Sequence, residues 1–221
     1  MFRGLFVTGT DTDVGKTAVS AALMLRYRDE VPLRYWKPIQ TGIEQADDSA
    51  EVSRLARCRP EEILARGVRL PGAVSPQLAA RRSGTRIAVR HVVELLQSEP
   101  PGARWIVEGA GGLFAPINEG ESMLDLIGAL GLPVLVVARS ALGTINHSRL
   151  TVETLRRHHH RVAGVVMVGA EDEDNRAAVE WHAAAEVVAH MPVFTPLEPD
   201  PLAEWVAREF DRTGVLFGCL R

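Results

Sequence analysis

The stretch "LFVTGTDTDVGKTAVSAAL", residues 5–23, decides the fold. Its opening residues form an apolar run of strand length, and Gly9 to Val14 make a Gly/Thr/Asp loop. Gly15-Lys16-Thr17 then open an amphipathic helical pattern. A helix approached through such a loop points unpaired N–H groups and the positive end of its dipole at an anion. Lys16 can reach the β- and γ-phosphates of a nucleotide, and the Thr17 hydroxyl can ligate Mg²⁺. The strict phosphate-loop pattern asks for Gly at position 10, where this chain has Thr10, with Gly9 one residue earlier. That narrows the loop without abolishing it. Thr10, Asp11 and Thr12 make the loop polar, so it is expected to touch a polar substrate as well as phosphate.

Working outward, strand-like runs occur at 3–8, 33–38, 104–108, 132–138 and 161–168. Helical patterns fall at about 16–28, 48–57, 90–98, 122–130, 146–158 and 174–189. The strands are apolar throughout rather than alternating, as in a sheet covered on both faces. Their alternation with helices predicts an α/β fold with a doubly wound, mostly parallel sheet flanked by helices, in one domain over residues 1–221. Residues 59–90, with Pro60, Pro71, Gly72, Pro76 and Gly84, are the least regular and predict an excursion carrying short helices. The segment "TPLEPDPLAEWVAREF" predicts a Pro-rich loop and a last helix.

Composition removes several function classes. The 221 residues are 46% hydrophobic with a net charge of −3, which gives no electrostatic case for nucleic acid or an anionic membrane. No apolar run reaches the roughly 18 residues of a membrane span. No basic segment precedes a cleavable apolar one, so a cytoplasmic protein is expected. Cys58 and Cys219 lie far apart without His or Cys at metal spacing and read as ordinary thiols. His158, His159 and His160 point to different faces and read as cations at a helix C-terminus. Of 25 basic residues only two are Lys, Lys16 and Lys37. Lysine is a compact point charge and arginine a broad planar fork. A chain that uses Arg nearly everywhere keeps Lys where only the ammonium fits, which turns attention to Lys37.

In such a sheet, ligands bind beyond the carboxyl ends of the strands. Lys37 ends a central strand at that edge and opens "KPIQTG", 37–42. A buried ammonium there needs an anion, either a structural carboxylate or a ligand's, and position and lysine usage favour the ligand. Glu108 stands at the tip of "WIVEGAGG", where glycines allow close backbone approach to a ligand. A carboxylate facing a phosphate loop needs a cation between them, so Glu108 is a Mg²⁺ candidate. Asp48 with Glu51 three residues on has the pattern of a capping box, or serves as a second metal carboxylate, or both, with Asp47 as the competing neighbour.

With these residues placed, the chain resembles the dethiobiotin synthetase family. The matching stretches are "VTGTDTDVGKT" (7–17), "KPIQTG" (37–42), "DDSAEVSRL" (47–55), "SPQLAA" (75–80), "VEGAGGL" (107–113) and "GTINHSRLT" (143–151). The resemblance implies a homodimeric ligase that closes a urea ring on 7,8-diaminononanoate, using CO₂, ATP and Mg²⁺. Carried over residue by residue, it implies that Lys16, Lys37 and Thr12 are catalytic and that Thr17, Asp48 and Glu108 hold Mg²⁺. The nucleotide would lie against Asp13, Val14, Gly15, Lys16, Thr17 and Ala18, together with Asp48, Glu108, Gly109, Ala110 and Gly111. The substrate would meet Thr12, Lys37 and Thr41, and its remote carboxylate would meet Gly143, Thr144, Ile145 and Asn146 from the opposite subunit. Two positions depart from the family's pattern. Gln77 stands where Ser-Pro-His is common, and Val168-Gly169 stand where Asn often reads adenine. Triphosphate binding survives the second departure, and other nucleoside triphosphates are expected to serve alongside ATP. A phosphate-loop amidoligase of the cobyrinate-diamide type would normally add a glutaminase domain with a nucleophilic Cys. A partition-type ATPase would carry a signature lysine in the loop, and positions 9–14 hold none.

Overall fold

The computed structural model describes residues 2–221. In chain order the first half runs β1 (Gly4–Gly9), α1 (Lys16–Tyr27), β2 (Leu33–Trp36), β3 (Ile39–Thr41), α2 (Asp48–Ala56), β4 (Ile63–Leu64), β5 (Val68–Leu70), α3 (Pro76–Arg82), α4 (Val89–Gln97) and β6 (Arg104–Glu108). The second half runs α5 (Met123–Leu130), β7 (Val134–Ser140), α6 (Thr144–Arg157), β8 (Val162–Gly169), α7 (Glu173–Ala183), β9 (Val187–Met191), α8 (Pro199–Glu209) and α9 (Val215–Leu220). Seven strands form one sheet in the order β4-β2-β6-β1-β7-β8-β9, every pairing parallel. The fold is therefore α/β, a doubly wound parallel sheet flanked by helices.

Successive strand residues feed opposite faces. Leu5 and Val7 join Val19, Leu23, Val52 and Leu202 on the face covered by α1, α2 and α8. Phe6 joins Val92, Leu126, Ile127 and Val152 on the face covered by α4, α5 and α6. The apolar strands are explained by this double covering. β1 sits between β6 and β7, the point from which the strand order runs outward in both directions. A crevice opens at such a point beyond the strand ends. Among the described residues, no helix is long and apolar enough to cross a membrane.

The structure departs from the sequence reading in several places, among them α9, which follows the helix expected to be the last. Helix α7 ends at Ala183, and Ala184 turns left-handed with φ 49. Val187 to Ala189, read from sequence as the end of that helix, instead open the edge strand β9, which pairs with β8. The alanine run carries helical periodicity onward, but the β-branched pair Val187-Val188 gains more against β8. Helix α6 starts at Thr144, earlier than expected, because Gly143 (φ 94) forms its N-cap. The irregular excursion at 59–90 contains α3 but also β4 and β5, and β5 pairs in parallel with β3 outside it, Ile39 opposite Val68. Three-residue strands show no periodicity.

The pairing of β1 with β6 sets the level of the site, since Gly4 lies opposite Trp105 and Val7 opposite Glu108. Gly4 has φ 137, and a Cβ built there would lie 1.9 Å from the Trp105 carbonyl oxygen. That contact is with backbone, so the strand itself must move. Gly4→Ala is expected to lower stability by about 3 kcal/mol, read as a shifted urea-unfolding midpoint.

Candidate active site at the phosphate loop

The loop between β1 and α1 turns through Asp13 (φ 55) and Gly15 (φ 99), and Gly15 caps α1 without any side-chain hydrogen bond. Its first amides are therefore free for an anion. A Cβ at Gly9 would lie 2.5 Å from the Asp11 carbonyl oxygen and 2.9 Å from Lys16 Nζ. The glycine displaced from position 10 is thus demanded at position 9 by close packing of the loop on itself. Lys16 Nζ donates to the Asp11 carbonyl at 2.9 Å. Burial, and then the nearby Lys37 charge, pull the Lys16 ammonium down to about 8.

Across the loop, Glu108 is fully buried at the end of β6. Its Oε1 accepts from Thr17 Oγ1 at 3.0 Å and from Lys37 Nζ at 2.8 Å, and its Oε2 accepts from Tyr35 OH at 3.0 Å. Lys37 Nζ also lies 2.6 Å from Asp48 Oδ2 and donates to the Gly109 carbonyl at 3.1 Å. Burial alone would lower the Lys37 ammonium, but the Glu108 and Asp48 carboxylates outweigh it and hold it above its usual value. Burial first, and then the Glu108 charge, push the Tyr35 phenol well above its ordinary range. Tyr35 was not singled out in the sequence. Its signal was its position two residues before Lys37 on one strand, hence on the same face.

The capping role expected of Asp48 belongs to Asp47. Asp47 Oδ1 accepts from Ser49 N at 2.9 Å and Ala50 N at 3.1 Å, while Glu51 pairs with Arg54 instead of closing a capping box. Asp48, one residue later, is the first residue of the helix, and its carboxylate lies on Lys37.

These groups border one cleft of about 1100 Å³. Asp13, Gly15, Lys16, Thr17 and Ala18 line it from the loop and α1. Lys37, Asp48, Glu108, Ala110 and Gly111 line it from the neighbouring edges, with Thr12, Thr41, Ser75 and Pro76 along its wall. Val14 is buried beneath the loop, and Gly109 contributes its carbonyl to Lys37 rather than a cleft wall. Gly143, Thr144, Ile145 and Asn146 do not line this cleft; Leu150, Thr151 and Thr154 of the same helix do. Gln77 borders a second, smaller cleft instead. At the edge of β8, the Val168 methyls lie 3.2 Å from a Cβ built on Gly15, so the side chain there packs on the loop and offers no hydrogen bond.

The donor set suits Mg²⁺. One hydroxyl and two carboxylates, Thr17, Asp48 and Glu108, gather beside Lys37. Mg²⁺ binds through one or two carboxylates plus phosphate oxygens and water rather than in an all-protein cage. Among the described residues, no group of three or more His, Cys, Asp or Glu is placed to hold a metal ion.

Residues 3–200 match the family model described as an AAA domain. The chain is 47% identical over 192 residues to an ATP-dependent dethiobiotin synthetase of Paramagnetospirillum magneticum, covering 86% of this chain and 87% of that one. It is 37% identical over 206 residues to the ATP-dependent dethiobiotin synthetase of Brucella ovis, covering 93% of each. The chain belongs to the dethiobiotin synthetase family. Members of this family are ATP-dependent ligases that form C–N bonds. It also matches a biotin biosynthesis bifunctional protein of Bordetella avium at 43% identity, over 92% of this chain and 42% of that one. Among solved structures, a ParA family ATPase from Chlorobium tepidum gives a TM-score of 0.59 at 10% identity, covering 100% of this chain and 98% of that one. MinD from Pyrococcus horikoshii, solved with Mg-ADP, gives 0.52 at 13% identity, covering 100% and 87%. At those identities the likeness is one of fold.

The division of labour between Asp47 and Asp48 can be measured. Asp47→Ala is expected to lower stability by about 1 kcal/mol through the lost cap, with the Mg²⁺ dependence of nucleotide binding unchanged. Asp48→Asn leaves the cap intact and is expected to raise the Mg²⁺ concentration needed for nucleotide binding, followed by calorimetry.

Proposed function

We propose that this chain makes dethiobiotin from 7,8-diaminononanoate, CO₂ and a nucleoside triphosphate in the presence of Mg²⁺, as a homodimer in a cytoplasmic setting. The observation that carries the reading is the gathering of the chain's two lysines, Thr17, Asp48 and Glu108 along one cleft that continues past the phosphate loop to Thr41 and Ser75. The cleft has room for a triphosphate and a second, polar molecule beside it.

In this reading CO₂ adds to one substrate amine to give a carbamate, releasing a proton. A carbamate oxygen attacks the γ-phosphorus and the nucleoside diphosphate leaves, giving a carbamic–phosphoric anhydride. The second amine attacks the carbonyl carbon and gives up a proton, phosphate departs with its bonding electrons, and the urea ring closes. Phosphoryl transfer of this kind asks the protein for positioning and charge rather than covalent chemistry. Lys16 meets the β- and γ-phosphates from the loop. Lys37 meets the carbamate and the transferred phosphoryl group, and Thr12 and Thr41 orient the substrate. Asp13 to Ala18 and Glu108 to Gly111 flank the nucleotide. Thr17, Asp48 and Glu108 would hold Mg²⁺, which supplies charge neutralisation to the phosphates when bound. The apolar Val168 at the base edge supports acceptance of other nucleoside triphosphates beside ATP.

The defining test mixes the protein with 7,8-diaminononanoate, bicarbonate, Mg²⁺ and ATP and looks for dethiobiotin by mass. Absence of product with all components present would refute the reading.

Lys37 joins two roles, since it also neutralises Asp48 and the buried Glu108. Lys37→Ala is therefore expected to cut turnover by a factor on the order of 10²–10³ and to lose stability through the unpaired carboxylate. Lys37→Arg keeps the charge and should keep most of the stability, yet be as inactive, because the fork does not replace a point charge in a tight site. An active Lys37→Ala enzyme would remove Lys37 from the chemistry.

Gly143 to Asn146 lie outside their own subunit's cleft, which supports service to the partner's substrate carboxylate. Lys37→Arg protein mixed with protein carrying bulky substitutions at 143–146 should then regain about a quarter of wild-type activity, since half the dimers are mixed and each mixed dimer holds one intact site. A mixture as inactive as its parents would mean that each subunit is self-sufficient.

A further inference from the structure

Asp11 has no role in the reaction described above, yet it ties the phosphate loop together. Its carbonyl accepts from Lys16 Nζ at 2.9 Å, its Oδ1 accepts from Thr12 N at 2.7 Å, and its Oδ2 accepts from Arg139 Nη2 at 2.7 Å. Arg139 belongs to β7, and the carbonyl of Val137, two residues earlier on that strand, accepts from Thr10 N at 2.9 Å. One strand thus holds the loop twice, by backbone at Thr10 and by an ion pair at Asp11.

The loop so held contains a strained residue. Asp13 has φ 55, a left-handed conformation that a non-glycine residue keeps only where its surroundings fix it. The Arg139–Asp11 pair is itself 55% and 53% exposed, and pairs that exposed add little to global stability. Its effect is local. The guanidinium fixes the residue that holds both Lys16 and the Thr12 amide. It also neutralises a carboxylate beside a loop built to receive phosphate. Without Arg139 that carboxylate would repel the incoming anion. Arg139 does not line the cleft, so it acts through Asp11 and not on the ligand.

We propose that Arg139 is a positioning residue of the phosphate loop: by pairing with Asp11 it holds Lys16 and Thr12 in place and screens the Asp11 charge, so that the loop receives a nucleoside triphosphate. The inference rests on the nucleotide-binding part of the function proposed above and not on the identity of the product.

The test is calorimetric titration of the whole chain with Mg-ATP at low salt. Arg139→Ala is expected to weaken binding by about fivefold to tenfold with an unchanged unfolding midpoint, and Arg139→Lys to recover most of the loss. Asp11→Asn combined with Arg139→Ala should bind no worse than Arg139→Ala alone, because the repelling carboxylate is gone. At about 1 M salt, where screening acts within roughly 3 Å, wild type and Arg139→Ala should converge. Equal affinities at low salt, strictly additive losses in the double variant, or a loss insensitive to salt would each overturn the inference. Wild-type protein that binds no Mg-ATP would overturn the nucleotide reading and this inference with it. Binding without dethiobiotin synthesis would overturn only the assignment of the reaction.

Discussion

Everything at this site depends on one carboxylate that water cannot reach. Glu108 is fully buried, and an ionised carboxylate in that position survives only if its oxygens are occupied. Thr17, Lys37 and Tyr35 occupy them, the first from α1 and the other two from β2 and the residue that follows it. The requirement to satisfy Glu108 therefore draws the helix of the phosphate loop and the second strand toward β6. Asp48 joins through Lys37, which brings the start of α2 to the same point. An unpaired charge would be costly there, which keeps these groups together.

The sheet makes this possible by register. β1 lies between β6 and β7, and Val7 opposite Glu108 puts the root of the loop level with the carboxylate. Gly4 permits that register, because any side chain there would collide with the backbone of β6. The helices on both faces cover the strands, and the sheet edge beyond them is where polar groups collect. The fold's contribution to function is chiefly this placement of strand ends.

Much of this could be read from the sequence, for physical reasons that differ by residue. The phosphate loop, Lys37 and Glu108 were legible because each ends an apolar strand, and strand ends are where an α/β sheet keeps its ligands. The cap of α2 stayed open between two neighbours, since Asp47 and Asp48 are chemically identical and only backbone geometry tells which one faces the amides. Tyr35 was missed because a tyrosine inside an apolar strand looks like core until its hydroxyl partner is known. Arg139 was missed because its partner lies 128 residues away and nothing local announces it. β3, β5 and β9 are too short, or too close to a helix's periodicity, to be seen without their neighbours.

The scarcity of lysine has a chemical corollary. The chain's side-chain amines are Lys16 and Lys37, and both are buried against the cleft. Lys37 lies between two carboxylates, and Lys16 stands in the phosphate loop. Acylating reagents small enough to enter therefore find side-chain amines at the cleft and nowhere else on the chain. The same economy that reserves lysine for the cleft makes side-chain amine chemistry a local property of that one region.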